Sequence, residues 1–227
     1  MKKRFIGLIL MFILVAQVIP FTVAGVDVEL QEAIEFLISL NIITAADTGE
    51  EDVTRKDFAL FLAKIHKGKP EFFMVEPANR TPFDDVNDDK YSGYYRAINY
   101  CMGNGFMYGT PESEFLPEGP ISFLSAVIVF LRTFDYGEGL TSSDGFLEKG
   151  KEIGLMNGFG LSTIADNTPT APITKNTMIA FLYNYYIISK VRCIMDIDGD
   201  DEITAADATY ILRYIVGLED SLCECHP

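Results

Sequence analysis

Residues 196–207 concentrate acidic side chains at a regular spacing. The segment reads Asp-Ile-Asp-Gly-Asp-Asp-Glu-Ile-Thr-Ala-Ala-Asp, with six acids in twelve positions. A calcium ion takes about six to eight oxygen ligands from a flexible loop. In a calcium loop of this length the ligands come from positions 1, 3, 5, 7, 9 and 12. Those positions are Asp196, Asp198, Asp200, Glu202 (through its backbone carbonyl), Thr204 (directly or through a water) and Asp207. The spacing predicts that the protein binds Ca²⁺ as a cofactor here.

Two positions differ from the usual calcium loop. Position 12 is Asp207 where Glu is usual, and position 6 is Asp201 where Gly makes the sharp turn. Asp tolerates the left-handed backbone conformation better than most residues, so these changes weaken the predicted site without removing it. Without a cation the carboxylates repel one another, and we expect calcium binding to order the loop. The alternative is a solvated acidic turn.

An amphipathic helix is predicted directly after the acidic loop. Its apolar residues recur at helical spacing, at Ala208, Ile211, Leu212, Ile215 and Leu218. Loop and helix together resemble one repeat of a type I dockerin, the calcium-dependent module that attaches secreted proteins to cohesins of cellulosome-like complexes. The resemblance implies a cohesin-type partner, contacted by Ala205, Ala206, Leu212 and Arg213. Alternatively, the two alanines are simply good helix formers.

Dockerins normally carry two such repeats, and this sequence shows one. The apolar face of its helix therefore needs another cover. The candidates are the preceding helical region, a clamp at Cys193, a second copy of the chain, or a cohesin.

Three segments before the acidic loop share one plan at a period of about 50 residues. The clearest, 83–134, reads as an acidic lead, a helix over 94–102, a glycine turn at 105–109 and a second helix that begins near Ser122, the predicted N-cap. The apolar side of that second helix includes Val127, Phe130, Leu131 and Phe134. Segment 145–189 repeats the plan with a turn at 154–158, and segment 32–65 gives a shorter version. One helix pair cannot bury its own apolar faces, whereas three stacked pairs can share a core.

Several short motifs of these segments resemble the S-layer homology repeat of bacterial surface proteins. They are Phe83-Asp84-Asp85-Val86, the 105–109 turn, Phe115-x-Pro117, Val53-Thr54-Arg55-Lys56-Asp57, Ile121-Ser122 and Ile173-Thr174-Lys175. In that family three repeats form one pseudo-trimeric helical spindle, and the grooves between repeats bind secondary cell-wall polysaccharide, often pyruvylated. The resemblance therefore implies a wall-polysaccharide site at Thr54, Arg55 and Lys175.

This sequence departs from the family in its charges. The arginine of the family's Thr-Arg-Ala-Glu motif helps to hold the anionic sugar, since a guanidinium can fork onto a carboxylate. Only the first segment keeps it, as Arg55, whereas the others have Phe123 and Lys175. The chain also has no tryptophan, which the family commonly uses. The alternative is a degenerate spindle that only maintains the fold.

No catalytic motif is present in the sequence. Two histidines, His66 and His226, lie in unrelated places, and His66 is predicted to be solvated. No nucleophile has a recognisable base nearby, and no phosphate-binding glycine loop occurs. Four tyrosines offer rings for sugar stacking, although helical spacing favours core and rim roles for them: Tyr94, Tyr95, Tyr100 and Tyr108. We therefore predict a non-catalytic protein, with a glycan-active enzyme as the alternative.

The start of the chain has the layout of a secretory signal peptide. Lys2, Lys3 and Arg4 precede an apolar run over 5–21, and small residues around Ala24 mark a cleavage site. A retained membrane anchor is the alternative. After residue 24 the chain holds 15 Lys and Arg against 33 Asp and Glu. This acidic balance disfavours nucleic-acid and anionic-membrane partners and suits an extracellular or wall-surface location.

The cysteines leave several chemistries open. Four occur, at Cys101, Cys193, Cys223 and Cys225. Export permits a disulfide from Cys193 to Cys223 or Cys225, which would clamp the ends of the dockerin-like unit. Free thiols and a zinc site that includes His226 are the alternatives.

We therefore predict an all-α protein in three parts. They are a signal peptide (1–24), a spindle of three helix-turn-helix units (26–190, with units at about 26–68, 81–136 and 140–190) and a dockerin-like calcium unit (191–227). The predicted function is a secreted adaptor that joins a cohesin-type partner to cell-wall polysaccharide. An accessory subunit with a purely structural spindle is the alternative, and the sequence does not fix the oligomeric state.

Overall fold

A computed structural model describes residues 29–73, 80–136, 139–196, 207 and 209. The helices in these ranges are α1 (Leu30–Ser39), α2 (Arg55–Lys67), α3 (Tyr95–Gly103), α4 (Phe123–Thr133), α5 (Ser143–Glu152), α6 (Leu161–Asn167) and α7 (Lys175–Met195). Single 3₁₀ segments lie at Ala45–Asp47, Pro70–Phe73, Asp84–Val86 and Asp89–Tyr94. No strand occurs in the described ranges, which confirms the all-α prediction.

Helices α2, α4 and α7 begin in the same way. A hydroxyl residue precedes each helix and accepts a hydrogen bond from the backbone N–H three positions later, a standard N-cap. The pairs are Thr54 with Asp57, Ser122 with Ser125, and Thr174 with Thr177. The predicted cap at Ser122 is confirmed.

The residues just before these caps join in a closed ring of backbone hydrogen bonds. The N–H of Val53 donates to the carbonyl of Ile173 (2.9 Å), that of Ile173 to Ile121 (2.9 Å), and that of Ile121 back to Val53 (3.2 Å). All three side chains are buried. Because every donor finds its acceptor in a different segment, the ring fixes the three segments around a pseudo-threefold axis.

A second layer of backbone bonds surrounds this ring. The first residues of α2, α4 and α7 donate their N–H groups to the segment that precedes another helix: Arg55 to Gly119, Phe123 to Ala171, and Lys175 to Glu51. We call these contacts junction A (the start of α2 with 115–119), junction B (the start of α4 with 169–171) and junction C (the start of α7 with 49–51). The same bonds place Arg55, Phe123 and Lys175 at equivalent positions, as their motifs predict.

Helix packing follows the same cyclic order. Helix α3 packs on α2, α5 packs on α4, and α1 packs on α7, where Phe36 meets the rings of Tyr183 and Tyr186 at 5.5 and 5.0 Å. Aromatic rings fill the centre, with Phe130 5.6 Å from both Phe58 and Phe181. Each helix pair thus buries its apolar faces against its neighbours.

Three polar side chains bind the ends of the first helices to α2, α4 and α7. Each lies ten residues after an N-cap and donates to a backbone carbonyl just past α1, α3 or α5. The pairs are Lys64 with Ile42 (3.3 Å), Arg132 with Phe106 (3.2 Å) and Asn184 with Leu155 (3.0 Å). We call them the latch residues, and they stabilise turns that would otherwise bury unpaired carbonyls.

The turns after α1, α3 and α5 also share a conformation. Asn41, Gly105 and Gly154 have φ values of 57°, 72° and 83°, the left-handed region that ends many helices. Asn is the residue that best replaces glycine there, so the shorter first segment keeps the turn without a glycine. The predicted correspondence of Gly105 with Gly154 is confirmed.

Three helices differ from the sequence prediction. Helix α6 lies in a stretch where no helix is predicted, and α7 continues beyond residue 189 to Met195. The six-residue 3₁₀ segment Asp89–Tyr94 moves the start of α3 to Tyr95. Within the described ranges, no helix combines the length and apolar character that a bilayer crossing requires.

Candidate functional site

Arg55, the first residue of α2, fastens the 115–119 segment across junction A. Its Nε donates to the carbonyl of Phe115 (2.8 Å), its Nη2 donates to the carbonyl of Tyr108 (2.9 Å), and its guanidinium lies 4.9 Å from the centre of the Phe115 ring. Burial lowers the pKa of Arg55, while the charge of Asp85 opposes that shift. An arginine remains protonated under such conditions, so junction A keeps a half-buried positive charge.

The acidic lead of the second segment supports the same loop. The carboxylate of Asp85 accepts hydrogen bonds from the backbone N–H groups of Phe115 (2.9 Å) and Leu116 (2.7 Å). A Cβ added at Gly119 would lie 3.2 Å from the carbonyl of Leu116 in the same loop and 3.9 Å from Cδ of Arg55. The turn at Gly119 is therefore tight within the loop itself, and its contact with Arg55 is an ordinary van der Waals contact.

Lys56 supplies a second cation at junction A. Its ammonium pairs with Glu118, lies 3.4 Å from the hydroxyl of Thr54, and lies 5.7 Å from the centre of the Tyr94 ring. The Lys56 side chain is only 14% exposed, whereas that of Glu118 is 58% exposed. The hydrogen bond from Lys56 lowers the pKa of Glu118, which is therefore ionised at neutral pH.

Asp57 organises the polar residues around Lys56. It accepts hydrogen bonds from the hydroxyl of Thr54 and from the hydroxyl of Tyr94, the latter at 3.1 Å. Burial, together with the charge of Asp57, raises the pKa of Tyr94 to about 12. Tyr94 therefore stays protonated and holds its ring beside Lys56.

Junction C has the same backbone but different chemistry. Lys175 donates to the carbonyl of Ala46 (3.3 Å) and lies 3.6 Å from the carboxylate of Glu51. Asn176 accepts from the N–H of Gly49 (3.0 Å) and donates to Glu50 (2.6 Å). The single cation of this junction thus lies among acidic and carbonyl oxygens.

Junction B places an apolar residue where the other two junctions have cations. Phe123 is fully buried, and its ring lies 4.9 Å from that of Phe181. Of the predicted wall-polysaccharide residues, the structure brings Thr54 and Arg55 together at junction A. Lys175 lies apart from them at junction C.

Residues 82–126 match the S-layer homology domain. The matched stretch begins just before the acidic lead that contains Asp85, includes all of the loop at junction A, and ends in the first turn of α4. The predicted resemblance to S-layer homology repeats is confirmed for this stretch.

Two curated proteins are similar to most of the chain. The chain is 20% identical over 200 residues to the surface layer protein of Brevibacillus choshinensis. The matched region covers 86% of this chain and 17% of that protein. The chain is 19% identical over 169 residues to the middle cell wall protein of Brevibacillus brevis. The matched region covers 72% of this chain and 15% of that protein. The chain thus matches less than a fifth of the length of either relative. With the S-layer homology domain, these similarities indicate a cell-surface or secreted protein.

Most residues of the predicted calcium unit lie outside the described ranges. This applies to Asp198, Asp200, Glu202 and Thr204 and to the predicted cohesin contacts Ala205, Ala206, Leu212 and Arg213. Asp196 directly follows α7, and Asp207 is helical and buried. The part of the chain that the structure describes contains no cluster of side chains suited to a metal ion. Calcium binding by residues 196–207 stays a prediction.

The predicted disulfide and signal peptide also lie outside the described residues. Cys223, Cys225 and residues 1–24 are not described, and of Cys193 only the backbone in α7 is described. Cys101 is a free, fully buried thiol whose Sγ lies 3.5 Å from the carbonyl of Ala59. Burial raises the pKa of this thiol well above its usual value, so Cys101 fills space beside α2 as an unreactive side chain.

The prediction that His66 is solvated is wrong. Its Nδ1 lies 2.7 Å from the hydroxyl of Tyr100, and its ring lies 4.7 Å from that of Phe106 and 6.4 Å from that of Tyr185. Because α3 and α7 both pack on the last turns of α2, this side chain turns inward among aromatic rings. Burial lowers the pKa of His66.

Sequence reasoning missed Lys56, Glu118 and Asp85 as site residues. Lys56 follows Arg55 directly, and its place in the Val53-Thr54-Arg55-Lys56-Asp57 motif was the available signal. Glu118 lies 62 residues away in sequence, so only the backbone ring brings it to Lys56. Of the four tyrosines, Tyr94 lines junction A, Tyr95 is buried and Tyr108 is exposed.

Proposed function

We propose that this protein is a non-catalytic cell-surface adaptor that binds an anionic cell-wall polysaccharide at junction A. The observation that carries the proposal is the pair of cations at the start of α2, held by the loop of an S-layer homology domain. Arg55 fixes the loop, and Lys56 presents an ammonium beside Tyr94 and Glu118. A positive site next to an aromatic ring and several hydroxyl-bonding oxygens suits an acidic sugar.

We further propose that residues 26–190 comprise three S-layer homology repeats, with units at about 26–68, 81–136 and 140–190. The closed ring at Val53, Ile121 and Ile173 supports this organisation, as do the shared caps and latch residues. Because junction B has an apolar residue in place of the cation, and junction C has a single cation among acidic and carbonyl oxygens where junction A has two cations, one polysaccharide site per chain is expected.

Co-sedimentation with purified bacterial cell walls tests the polysaccharide proposal. The full chain, a Lys56→Met variant and a Lys175→Met variant are compared on intact walls and on walls stripped of polysaccharide with hydrofluoric acid. We expect Lys56→Met to weaken binding by about tenfold or more, since it removes a poorly hydrated cation, and Lys175→Met to change it by less than about twofold. Equal binding to stripped walls would contradict the proposal.

A second proposed activity resides in residues 191–227. We propose that this unit binds one Ca²⁺ through Asp196, Asp198, Asp200, Glu202, Thr204 and Asp207 and docks on a cohesin-type partner. The complete ligand spacing in the sequence supports it. An accessory subunit that uses only this unit, with a structural spindle, is the alternative, and the absence of the arginine from junctions B (Phe123) and C (Lys175) favours that alternative.

Calcium titration calorimetry separates these possibilities at the C-terminal unit. We expect one site in the full chain, lost in an Asp196→Ala, Asp200→Ala variant and retained in Asp201→Asn, since position 6 supplies no ligand. A cohesin pull-down with and without calcium then tests docking. If calorimetry detects no heat of binding at millimolar calcium, the calcium proposal is contradicted. Junction A is then the one proposed binding site that remains.

A further inference from the structure

Of the acids at junction A, Glu118 makes the fewest contacts that hold the backbone in place. Asp85 is committed to two backbone N–H groups, and Asp57 to two hydroxyls. Glu118 instead extends from an exposed loop position to the ammonium of Lys56. The backbone on both sides of Glu118 is held by other bonds. The carbonyl of Pro117 accepts a hydrogen bond from the backbone N–H of Lys56, and the carbonyl of Gly119 accepts one from the backbone N–H of Arg55.

The position that the Glu118 carboxylate occupies is built to hold an anion. Lys56 is largely buried there by the Tyr94 ring and the loop, so its ammonium depends on nearby oxygen for solvation. Tyr91 and Lys90 contribute from the 3₁₀ segment before α3, where the Lys90 ammonium lies 4.5 Å from the centre of the Tyr91 ring. The hydrogen bond from Lys56 is the main cause that lowers the pKa of Glu118, and the charge of Lys90 acts in the same direction.

We propose that Glu118 is a built-in competitor, whose carboxylate holds on Lys56 the position that a carboxylate of the glycan takes when it binds. This inference rests on the proposed wall-polysaccharide function and assigns the ligand to carboxylate-bearing glycans. Exchange of one carboxylate for another leaves Lys56 paired throughout, and the exposed Glu118 side chain regains water as it leaves. Glu118 therefore weakens binding and keeps the site satisfied when no glycan is present.

The test compares the affinity of the full chain and its variants for the polysaccharide released from cell walls, by calorimetry. Glu118→Gln removes the competing charge at constant size, and Glu112→Gln removes one charge from an exposed position of the same loop. We expect Glu118→Gln to bind the polysaccharide about threefold to tenfold more tightly, because it removes one nearby repulsive charge. We expect Glu112→Gln to bind it with the affinity of the parent chain. In a Lys56→Met background the Glu118→Gln change should have no effect.

A second arm identifies the chemical group on the glycan. The carboxylates of the same polysaccharide are converted to methylamides, which removes their charge and leaves phosphate groups intact. We expect the gain from Glu118→Gln to disappear with the amidated polymer. A gain that survives amidation overturns the assignment to carboxylates.

The failure of this inference is distinguishable from that of the proposed function. If the parent chain binds the native polysaccharide and Glu118→Gln does not tighten it, the competitor role is overturned while wall binding stands. If neither binds, both are overturned. If only Glu118→Gln binds, Glu118 blocks the site and the competitor role is supported. Thermal unfolding of each variant shows whether the fold is intact.

Discussion

Junctions A and C share a backbone and differ in charge. At both junctions a helix begins with a threonine N-cap, and the N–H of the first helical residue donates to a neighbouring segment. At junction A two cations, Arg55 and Lys56, lie beside acids of which Glu118 alone is largely exposed. At junction C one cation, Lys175, faces a segment with consecutive acids at Glu50 and Glu51. The comparison shows that the ring fixes the geometry through main-chain atoms and leaves the side chains free to diverge.

The most severe test of this comparison places a cation at junction B. Phe123→Arg restores the residue of junction A at the equivalent position, but Phe123 is fully buried against Phe181. We expect a loss of about 4 kcal/mol or more in the free energy of unfolding, since an unpaired charge enters the core. Urea denaturation measures it. A stable variant with a second polysaccharide site would show that charge alone distinguishes the junctions.

Truncation of the equivalent cations is expected to give a smaller and unequal effect. Arg55→Ala removes two hydrogen bonds to carbonyls and the contact with the Phe115 ring, so we expect a loss of about 2 kcal/mol in unfolding free energy. Lys175→Ala removes a more exposed pair and should cost less than about 1 kcal/mol. Equal losses would mean that Arg55 does not fasten its loop.

The latch residues extend the comparison to the other end of the helices. Asn184 is buried and donates to the carbonyls of both Leu155 and Asn157, at 3.0 and 2.9 Å. We expect Asn184→Ala to cost about 1–2 kcal/mol, because it leaves buried carbonyls without this donor. Asn184→Asp, which cannot donate when ionised, serves as the matched variant and should be destabilised at neutral pH as well.

The smallest expected effect is a pH dependence of the unfolding free energy that arises at His66, at the opposite end of α2 from junction A. Because burial lowers the pKa of His66 in the folded state, the unfolded state binds more protons as the pH falls below about 6.5. The contribution of neutral His66 is complete above that pH and is lost as the pH decreases towards the lowered folded pKa.

A His66→Gln variant, which does not titrate, provides the control for this dependence. We expect the stability of the parent to fall more steeply than that of the variant between about pH 7 and pH 5.5. Unfolding by urea at a series of pH values measures both slopes. Parallel curves would show that His66 is as accessible to protons in the folded state as in the unfolded state.

The sequence was a good guide wherever local chemistry decides the structure. The cap at Ser122, the buried face of α4 and the glycine turn at Gly105 follow from residue type and short-range spacing. The equivalence of Arg55, Phe123 and Lys175 also followed, because each lies one residue past a cap.

Contacts between distant segments were beyond that reasoning. The pair of Lys56 with Glu118 depends on a loop that closes over another segment's helix, and neither residue type is unusual on a surface. His66 was assigned to solvent because polar loop residues are usually exposed, but packing against Tyr100, Phe106 and Tyr185 overrode that preference. Helix α6 was missed for lack of a clear apolar period in a short segment.

The closed ring of Val53, Ile121 and Ile173 limits the number of helical units that such a domain can contain. Linear solenoids add or lose units at their ends and need special capping units there. Here the first and last segments cover one another, through the Val53–Ile173 bond and the packing of α1 on α7, so no unit is terminal. A fourth unit would find no open edge, and folding must bring the two ends of the domain together before its core is complete, which favours slow, all-or-none assembly.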